Sequence, residues 1–480
     1  MHITQNIIAI DLGNSSGRFA LCEWDGNRGS LREIYQFPNA PMTIGPHFIW
    51  DTERIWGEIL KGIHIASVTT HGEVESLGLD SWGAEYVLID RKGNLVGHAY
   101  SLRDPRNVAA MHRAFQIVPV RKIYDITGIQ VMPINALYGL LAHTQELPEE
   151  WERAWLWLGT PEYYLFRMTG VPVAEYTNAP NSQMVDARSR SWSKELCDAF
   201  GLSLEKFPPI VPPGTTLGLL RPELAKNLGL KSTKVIAPAC HDTASAVAAI
   251  PYPHNGLAFV SSGTWSLVGT VLHDPLISEL GFQLNLTNEG GVGDSIRFLR
   301  NVIGLWILQE LLREWNLQGL HVSAGRLARD CLCAPLEGAW VDLKDEKPYL
   351  VPGNMAARIN GELKVQGFPE VTQPHELASV VFRSLAKRYG EVFDGIQRCT
   401  GKPLERLCIV GGGVRNQVLN RLAQEATGLV LLKGSSEATL FGNAAVQIAT
   451  LENTRSLEDI QSIASRLSFE DEDSAIPLGN

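Results

Sequence analysis

Short apolar runs that end at small polar turns recur along this chain and give its first structural signal. Residues 7–10 are all apolar and end at Asp11, and a second apolar run begins after a turn of Gly, Asn and Ser residues. Two such runs joined by a short polar turn predict a β-hairpin over residues 7–24. The stretch 75–98 is predicted to contain a strand, a loop, a second strand and a turn at 92–94. The chain therefore begins with strands, and the first strand ends on a carboxylate.

Segments with helical periodicity alternate with further strands through most of the remaining length. The spacing of apolar residues predicts helices over 106–117, 133–146, 148–157 and 375–400. An apolar strand over 234–240 leads into small residues that predict a helix over 241–250, and a strand at 407–410 leads through three glycines into another helix. Strands that alternate with helices predict an α/β fold.

The opening pattern returns in the second half of the chain. Residues 257–270 again consist of an apolar strand, a turn containing Ser-Ser-Gly and a second apolar strand. A repeat of this kind predicts two related lobes, since 480 residues are enough for more than one domain. We place the first lobe at 1–250, the second at 251–455, and a C-terminal helix and acidic, mobile tail at 456–480.

Composition narrows the functional classes. The formal net charge is −10, so the chain lacks the basic excess of nucleic-acid binders or of proteins that bind anionic membranes. No signal-peptide pattern and no apolar run of membrane-spanning length is present. The seven cysteines are scattered, which predicts reduced thiols, no zinc site and a cytoplasmic location. We expect a monomer or a small homo-oligomer.

Three small-residue turns are candidates for binding a nucleotide. Backbone N–H groups in turns of small residues can surround a phosphate, and the turns at 14–17 and 261–264 have this composition. The glycines at 411–413 would suit the nucleoside end. The alternative is that these are ordinary hairpin turns, which prefer the same residues. Neither a P-loop nor a dinucleotide-binding glycine motif occurs in the chain.

Two carboxylates and one aromatic loop are candidates for chemistry, each with a structural alternative. Asp11 could hold Mg²⁺ beside a phosphate, usually through water, or could simply start a turn. Asp242, between a strand and a helix, could accept a proton during phosphoryl transfer, or could cap that helix. The loop that contains Trp82 could bind a sugar through its aromatic face and neighbouring acids, or Trp82 could belong to the core.

Taken together, these segments resemble the FGGY carbohydrate kinases of the actin-like ATPase superfamily. The resemblance is collinear over roughly residues 6–450 and is carried by the segments at 8–18, 80–83, 175–179, 241–247, 261–267, 287–291, 301–306, 410–413 and 438–443. It implies an α/β fold of two actin-like, ribonuclease H-like lobes with mixed sheets flanked by helices, and an active site in the cleft between them.

The resemblance also implies an activity and a set of site residues. It implies ATP and Mg²⁺ as cofactors, and transfer of the γ-phosphate to the 1-hydroxyl of L-rhamnulose in L-rhamnose catabolism. By matching position, Asp242 is the general base, and the sugar site contains Gly83, His241, Asp242, Thr243 and Asn301. The nucleotide site contains Asn14, Ser15, Ser16, Gly17, Arg18, Thr264, Gln309 and Gly412, with Asp11 near the metal.

Two alternative functions stay open at this stage. The first is a kinase for a related ketose such as L-fuculose or L-xylulose, because such sugars differ by one stereocentre or one methyl group. The second is an actin-like nucleotide switch without a small substrate. The chain departs from the common kinase pattern at Asn14, where Ala is frequent, and at 414–415, both in the nucleotide half.

Overall fold

A computed structural model describes residues 4–333 and 335–470 of this chain. Its strands are β1 (Gln5–Leu12), β2 (Ser16–Trp24), β3 (Gly29–Pro38), β4 (Met42–Ile44), β5 (His47–Trp50), β6 (Ser76–Ser81), β7 (Tyr86–Ile89), β8 (Ala99–Tyr100), β9 (Leu156–Gly159), β10 (Ala174–Glu175), β11 (Val185–Asp186), β12 (Ser191–Trp192), β13 (Ile210–Val211), β14 (Thr215–Leu219), β15 (Lys234–Ala237), β16 (Leu257–Ser262), β17 (Trp265–Leu272), β18 (Thr287–Gly290), β19 (Ile296–Ile303), β20 (Arg406–Val410), β21 (Val430–Leu432) and β22 (Leu467–Phe469).

Helices connect and cover these strands. They are α1 (Thr52–Thr69), α2 (Arg106–Ile117), α3 (Val120–Thr127), α4 (Ala136–Glu146), α5 (Pro148–Arg153), α6 (Thr160–Thr169), α7 (Lys194–Phe200), α8 (Pro222–Leu228), α9 (Asp242–Ala248), α10 (Glu279–Gln283), α11 (Trp306–Leu317), α12 (Ala324–Asp330), α13 (Lys347–Leu350), α14 (Met355–Val365), α15 (Pro374–Thr400), α16 (Gln417–Thr427), α17 (Ala438–Leu451) and α18 (Leu457–Ala464).

Two mixed sheets form the centres of two lobes, and their central strands follow the same plan. The first sheet has the order β14-β15-β6-β1-β2-β3-β22, and the second has the order β18-β19-β17-β16-β20-β21. In each sheet a central hairpin, β1–β2 or β16–β17, carries a third antiparallel strand on one side and two parallel strands on the other. The repeated strand–turn–strand pattern of the sequence therefore corresponds to a repeated sheet, as predicted.

The central strands are buried on both faces, which explains their nearly continuous apolar sequences. Ile8 and Ile10 of β1 face a core shared with Ile59 of α1, whereas Ile7 and Ala9 face the opposite side. On that opposite side α17 packs against β1, although α17 comes from the far end of the chain. In the second lobe, α15 supplies the long buried helix of the core.

Helices α9 and α17 lie against each other between the two lobes. Ala246 and Val247 of α9 pack with apolar residues of the second sheet, while α17 packs on the first sheet. A glycine permits their close approach, because a Cβ added at Gly442 would lie 1.8 Å from the carbonyl oxygen of Ser245. Each sheet is thus covered by one helix from the other half of the chain, α17 on the first sheet and α9 on the second. The N-terminal end of each helix lies at the cleft between the lobes.

The structure corrects two predicted elements. The predicted helix over 148–157 ends at Arg153, and Leu156–Gly159 is a strand that pairs with β7. The predicted tail is ordered at its start, because Leu467–Phe469 forms β22 and pairs in parallel with β3 at the edge of the first sheet. Residues 471–480 of that tail lie outside the described residues. The division at 250 and 251 stays a prediction, since α17 and β22 return to the first lobe.

The cysteines and the helices also bear on the compositional predictions. All seven cysteines are free thiols, and only Cys333 is exposed. Among the helices of the described residues, none combines the length and the apolarity that a membrane crossing requires. The cytoplasmic location stays a prediction.

Candidate active site

A cavity of about 480 Å³ lies in the cleft between the lobes, and most of the predicted site residues line it. Twelve predicted residues line it: Asp11, Asn14, Ser15, Ser16, Arg18, Gly83, His241, Asp242, Thr243, Thr264, Asn301 and Gly412. They come from both halves of the chain. Two predicted residues, Gly17 and Gln309, are not in this lining.

The first turn reaches the cleft through its exposed residues. Asn14 and Ser15 are exposed, and the turn is closed by a hydrogen bond from the Gly13 N–H to the Ser16 carbonyl, at 2.8 Å. Gly17 is buried in β2, and a Cβ there would meet the ring of Phe37 at 2.3 Å. The glycine is therefore required by packing behind the turn, and no contact of its own with the cleft is seen.

The second turn and the glycine turn face the first across the cleft. Gly412 is exposed in a short 3-10 turn after β20, and no atom lies within 4 Å of the position its Cβ would occupy. A ligand can therefore approach its backbone closely. Gln309, near the start of α11, is exposed at the rim, where its side-chain nitrogen lies 3.5 Å from the Thr264 hydroxyl.

A charged network ties the first turn to the start of α17. Arg18 lies 3.3 Å from the Asp11 carboxylate and also donates to Glu437. Arg415, next to the glycine turn, donates to the same Glu437 carboxylate at 2.9 Å. Glu437 thus connects two arginines from the two lobes, and one of them neutralises the carboxylate predicted to lie near the metal.

Three acidic side chains, those of Asp11, Asp80 and Asp242, lie close enough to influence one another's pKa. Asp11 on β1 is the register partner of Asp80 on β6, and Asp80 is fully buried. Burial raises the pKa of Asp11, while the charge of Arg18 opposes that shift. Burial and then the charge of Asp11 raise the pKa of Asp80 well above its usual range. Asp80 accepts a hydrogen bond from Asn443 of α17 at 2.6 Å.

Asp242 is the third of these acids, and it lies at the start of α9. It is the first residue of α9, the N-cap position is His241, and no side-chain cap bond is formed. Asp242 therefore does not occupy the N-cap position of α9. Its carboxylate accepts from the Thr243 N–H at 2.5 Å and the Thr243 hydroxyl at 3.2 Å. Burial, followed by the nearby charge of Asp11, raises the pKa of Asp242 to about 7.

A carboxylate with a pKa near 7 is suited to accept a proton at neutral pH. One third of the Asp242 side chain remains exposed, and that part faces the cleft. Besides Thr243, the predicted residue His241 lies nearby, with its Nε2 3.5 Å from Asp242 Oδ1. Gly83 lies beside the same imidazole, because a Cβ at Gly83 would be 3.1 Å from His241 Nε2.

Asn301 is held so that its oxygen stays available on the cleft side. Its backbone N–H donates to Gln130 Oε1 at 2.8 Å, and its carbonyl accepts from Gln130 Nε2 at 3.1 Å. The side-chain nitrogen of Asn301 then faces two acceptors, Gln130 Oε1 at 3.2 Å and Glu289 Oε1 at 3.3 Å. These contacts fix the amide orientation and leave Oδ1 to accept a hydrogen bond from a sugar hydroxyl.

Trp82, whose aromatic face was predicted to bind a sugar, lines the cavity but is almost fully buried. Trp82 is 4% exposed and packs on Trp50 with ring centroids 4.5 Å apart. Its indole N–H donates to the buried Glu85 at 2.7 Å. Trp82 therefore belongs to the core of the first lobe, with its one donor satisfied, and only a small part of it reaches the cavity.

Several residues of this site were not predicted from sequence. Glu437, Arg415, Asp80, Gln130, Glu289 and Arg297 have site contacts but no predicted role. Asp80 and Glu289 fall inside segments that carry the resemblance, which is a signal that could have identified them. The others have no local signal, because their partners are distant in sequence.

The sequence matches two family models that between them cover most of its length. The N-terminal domain of the FGGY family of carbohydrate kinases matches residues 6–249, and the C-terminal domain matches residues 258–451. Both matches fall in the regions where the two sheets are found.

Three similar proteins are also carbohydrate kinases. The chain is 35% identical over 456 residues to a rhamnulokinase of Oceanobacillus iheyensis, covering 95% of each chain. It is 35% identical over 464 residues to a rhamnulokinase of Bacteroides thetaiotaomicron, covering 96% of this chain and 94% of the other. A gluconate kinase from Lactobacillus acidophilus superposes with a TM-score of 0.77 at 18% identity, covering 96% and 92% of the two chains. The predicted fold class is thereby confirmed.

Proposed function

The chain belongs to the FGGY family of carbohydrate kinases, and on that premise we propose that it transfers the γ-phosphate of ATP to the 1-hydroxyl of L-rhamnulose. It is a sugar kinase that uses ATP. The finer proposal concerns the substrate, the base and the metal. It is supported by the similarity to rhamnulokinases over about 95% of the chain.

The observation that carries the mechanism is the position of Asp242. Its carboxylate lies at the cleft, held by Thr243, with a pKa raised to about 7 by burial. We assign it as the general base that takes the proton of the 1-hydroxyl as that oxygen forms its bond to phosphorus. The bond from phosphorus to the bridging oxygen of ATP breaks at the same time, and ADP carries away the negative charge.

The residues around Asp11 fit a magnesium ion that arrives with the nucleotide. Asp80 Oδ1 has no hydrogen-bond partner among the described residues, and it lies next to Asp11 in a pair of buried acids. Carboxyl oxygens without a protein partner are the ligands that Mg²⁺ prefers, and a bound cation would favour the ionised form of both acids. No group of three or more potential ligand side chains occurs in the described ranges, so phosphate oxygens and water would supply the remaining ligands. When bound, the ion would neutralise charge that develops on the phosphates.

The apolar residues that line part of the cavity are also suited to binding a deoxyketose. Leu102, Ile129, Met132 and Ile134 line the cavity together with the polar residues around Asp242. An apolar wall suits the terminal methyl group of L-rhamnulose or of its epimer L-fuculose better than a hydroxymethyl group. A methyl group contributes only about 1–3 kcal/mol of discrimination, so slower turnover of related ketoses is expected.

A substrate panel tests the proposal. ADP release is measured with L-rhamnulose, L-fuculose, L-xylulose, L-ribulose, D-xylulose and glycerol, and kcat/KM is compared. We expect L-rhamnulose to give the highest value. If L-fuculose or L-xylulose is preferred, the assigned substrate is wrong while the assigned base is unaffected. ATP turnover that is the same with and without any sugar would instead favour a nucleotide switch.

A matched pair of variants tests the base. Asp242→Asn keeps the oxygen that accepts from Thr243, so it should fold, but it should lose about 10²–10⁴-fold in kcat. Asp51→Asn is the control, because Asp51 caps α1 by accepting from the Arg54 N–H at 2.9 Å and Asn caps equally well. Full activity of the folded Asp242→Asn variant would show that the base lies elsewhere in the cleft.

A further inference from the structure

One buried arginine of the second lobe reaches a predicted sugar-site residue of the first. Arg297 lies on β19 and is 1% exposed. Its Nε donates to the Gly290 carbonyl at 2.7 Å within the second lobe. Its Nη2 lies 3.2 Å from the Thr177 carbonyl and 3.0 Å from His241 Nδ1, both in the first half of the chain.

The chemistry of this contact fixes the proton on the imidazole. A guanidinium group has five N–H donors and no acceptor, so His241 Nδ1 must accept the hydrogen bond from Arg297. A neutral imidazole with an unprotonated Nδ1 carries its hydrogen on Nε2. Burial and the charge of Arg297 hold the pKa of His241 well below its usual range, so the ring is neutral at physiological pH.

Glu289 does not compete for the same imidazole nitrogen. Its Oε2 is 3.6 Å from His241 Nδ1, which is too long for a hydrogen bond, but 3.2 Å from Arg297 Nη1. The carboxylate therefore balances the charge of the guanidinium in a buried pair. This pairing keeps the arginine charged where an isolated cation would be costly.

The protonated nitrogen of His241 faces the reacting position. Nε2 is 3.5 Å from Asp242 Oδ1 and lies beside Gly83, where a Cβ would come within 3.1 Å of it. All three residues line the cleft. An oxygen of a sugar whose hydroxyl contacts Asp242 would thus be within reach of the Nε2–H donor.

We propose that Arg297 is a positioning residue that fixes His241 as the Nε2–H tautomer. His241 then donates a hydrogen bond to the C2 oxygen of the ketose. Asp242 accepts the proton of the neighbouring 1-hydroxyl. The assignment rests on the proposed function for the identity of the ligand oxygen. The tautomer itself is a property of the free protein and does not depend on which ketose is the substrate.

The tautomer can be measured directly in the unmodified protein. The full chain is labelled with ¹⁵N-histidine, and long-range proton–nitrogen correlations are recorded between about pH 6 and pH 8, where an ordinary histidine titrates. The His241→Gln spectrum identifies the signals of His241. We expect a neutral Nε2–H ring throughout this range. An Nδ1–H tautomer or a charged ring would overturn the proposal, whatever the variants below do.

Variants of Arg297 then connect the tautomer to sugar binding. In Arg297→Met the imidazole is free to exchange tautomers, and we expect KM for the ketose to rise about tenfold or more while KM for ATP is unchanged. Arg297→Lys keeps a donor-only cation, and we expect it to restore the tautomer and part of the sugar affinity together. An arginine that only holds the lobes together would change the melting temperature without changing the tautomer.

Arg383→Met is the matched control for loss of a buried arginine. Arg383 is 8% exposed, lies on α15 and donates to the Ala339 carbonyl at 2.7 Å, outside the cleft lining. We expect it to lose stability with an unchanged KM for the ketose. Unchanged tautomer and KM in Arg297→Met would refute the role of Arg297. Poor turnover of L-rhamnulose with the expected tautomer would refute only the substrate, and the best ketose of the panel would replace it.

Discussion

Replacing Gly442 with alanine tests whether the contact between α9 and α17 sets the position of Asp242. The added Cβ would lie 1.8 Å from the Ser245 carbonyl oxygen and 2.5 Å from its carbonyl carbon. Real Cβ atoms keep at least 3.0 Å from such atoms, so the two helices must separate by about 1.2 Å. The clashing atoms are backbone, and no side-chain rotation can relieve them.

The magnitude follows from two opposing effects. Overpacking of a tight contact costs about 1–3 kcal/mol, and the upper end applies where backbone must move. Removing a glycine from a helix interior returns about 1 kcal/mol. We therefore expect a net destabilisation of about 2 kcal/mol. Asp242 is three residues before Ser245 on α9, and a displacement of about 1 Å in a catalytic group costs on the order of 10²-fold in rate.

The assay compares Gly442→Ala with a glycine that has room for a side chain. Gly361 lies inside α14, and a Cβ there meets no atom within 4 Å. Gly361→Ala should raise the melting temperature and leave kcat/KM unchanged. Gly442→Ala should lower both. If Gly442→Ala behaves like Gly361→Ala, with kcat/KM within about twofold of the parent protein, the helix contact does not position the base.

Three further predictions concern the nucleotide site, the base and the buried acids. Gly412→Val adds a side chain in open space at the cleft, so it should raise KM for ATP and leave the melting temperature unchanged. Gly413→Ala places a Cβ 2.0 Å from a buried serine hydroxyl, so it should lower the melting temperature. Because the ionised form of Asp242 is the base and its pKa is about 7, kcat/KM for the ketose should fall about tenfold per pH unit below pH 7 and level off above it. A flat profile between about pH 5 and pH 9 would contradict that assignment. Asn443→Ala removes the donor to the buried Asp80 and should cost about 1–3 kcal/mol in chemical denaturation, and an unchanged midpoint would show that this hydrogen bond contributes nothing.

Local patterns were sufficient for much of the fold. The hairpins at 7–24 and 257–270, the helix over 375–400 and the strand before the glycine turn all appear close to their predicted places. These elements depend on residues adjacent in sequence, because a strand buried on both faces or a long amphipathic helix carries its own periodicity. The predicted helix at 148–157 failed at its end, where pairing with β7 outweighed the helical spacing.

Roles that depend on the immediate surroundings of a side chain could not be settled in this way. The residues alone left open whether Trp82 binds a sugar or belongs to the core, and whether Asp242 is a base or a helix cap. In the structure Trp82 packs on Trp50 in the core, and His241 rather than Asp242 occupies the cap position. Both outcomes depend on neighbours that the local pattern does not specify.

Short-range spacing and residue type were enough to predict the two repeated hairpins, the small-residue turns and Asp11 at the end of a strand. Which distant groups act on the site depends on how the two lobes fold together. Glu437 reaches Arg18 across 419 residues, Asn443 reaches Asp80 across 363, and Arg297 reaches His241 across 56. Such pairs form because α17 returns to the first sheet and β19 faces the start of α9. No periodicity within either segment records which residue the other will place opposite it.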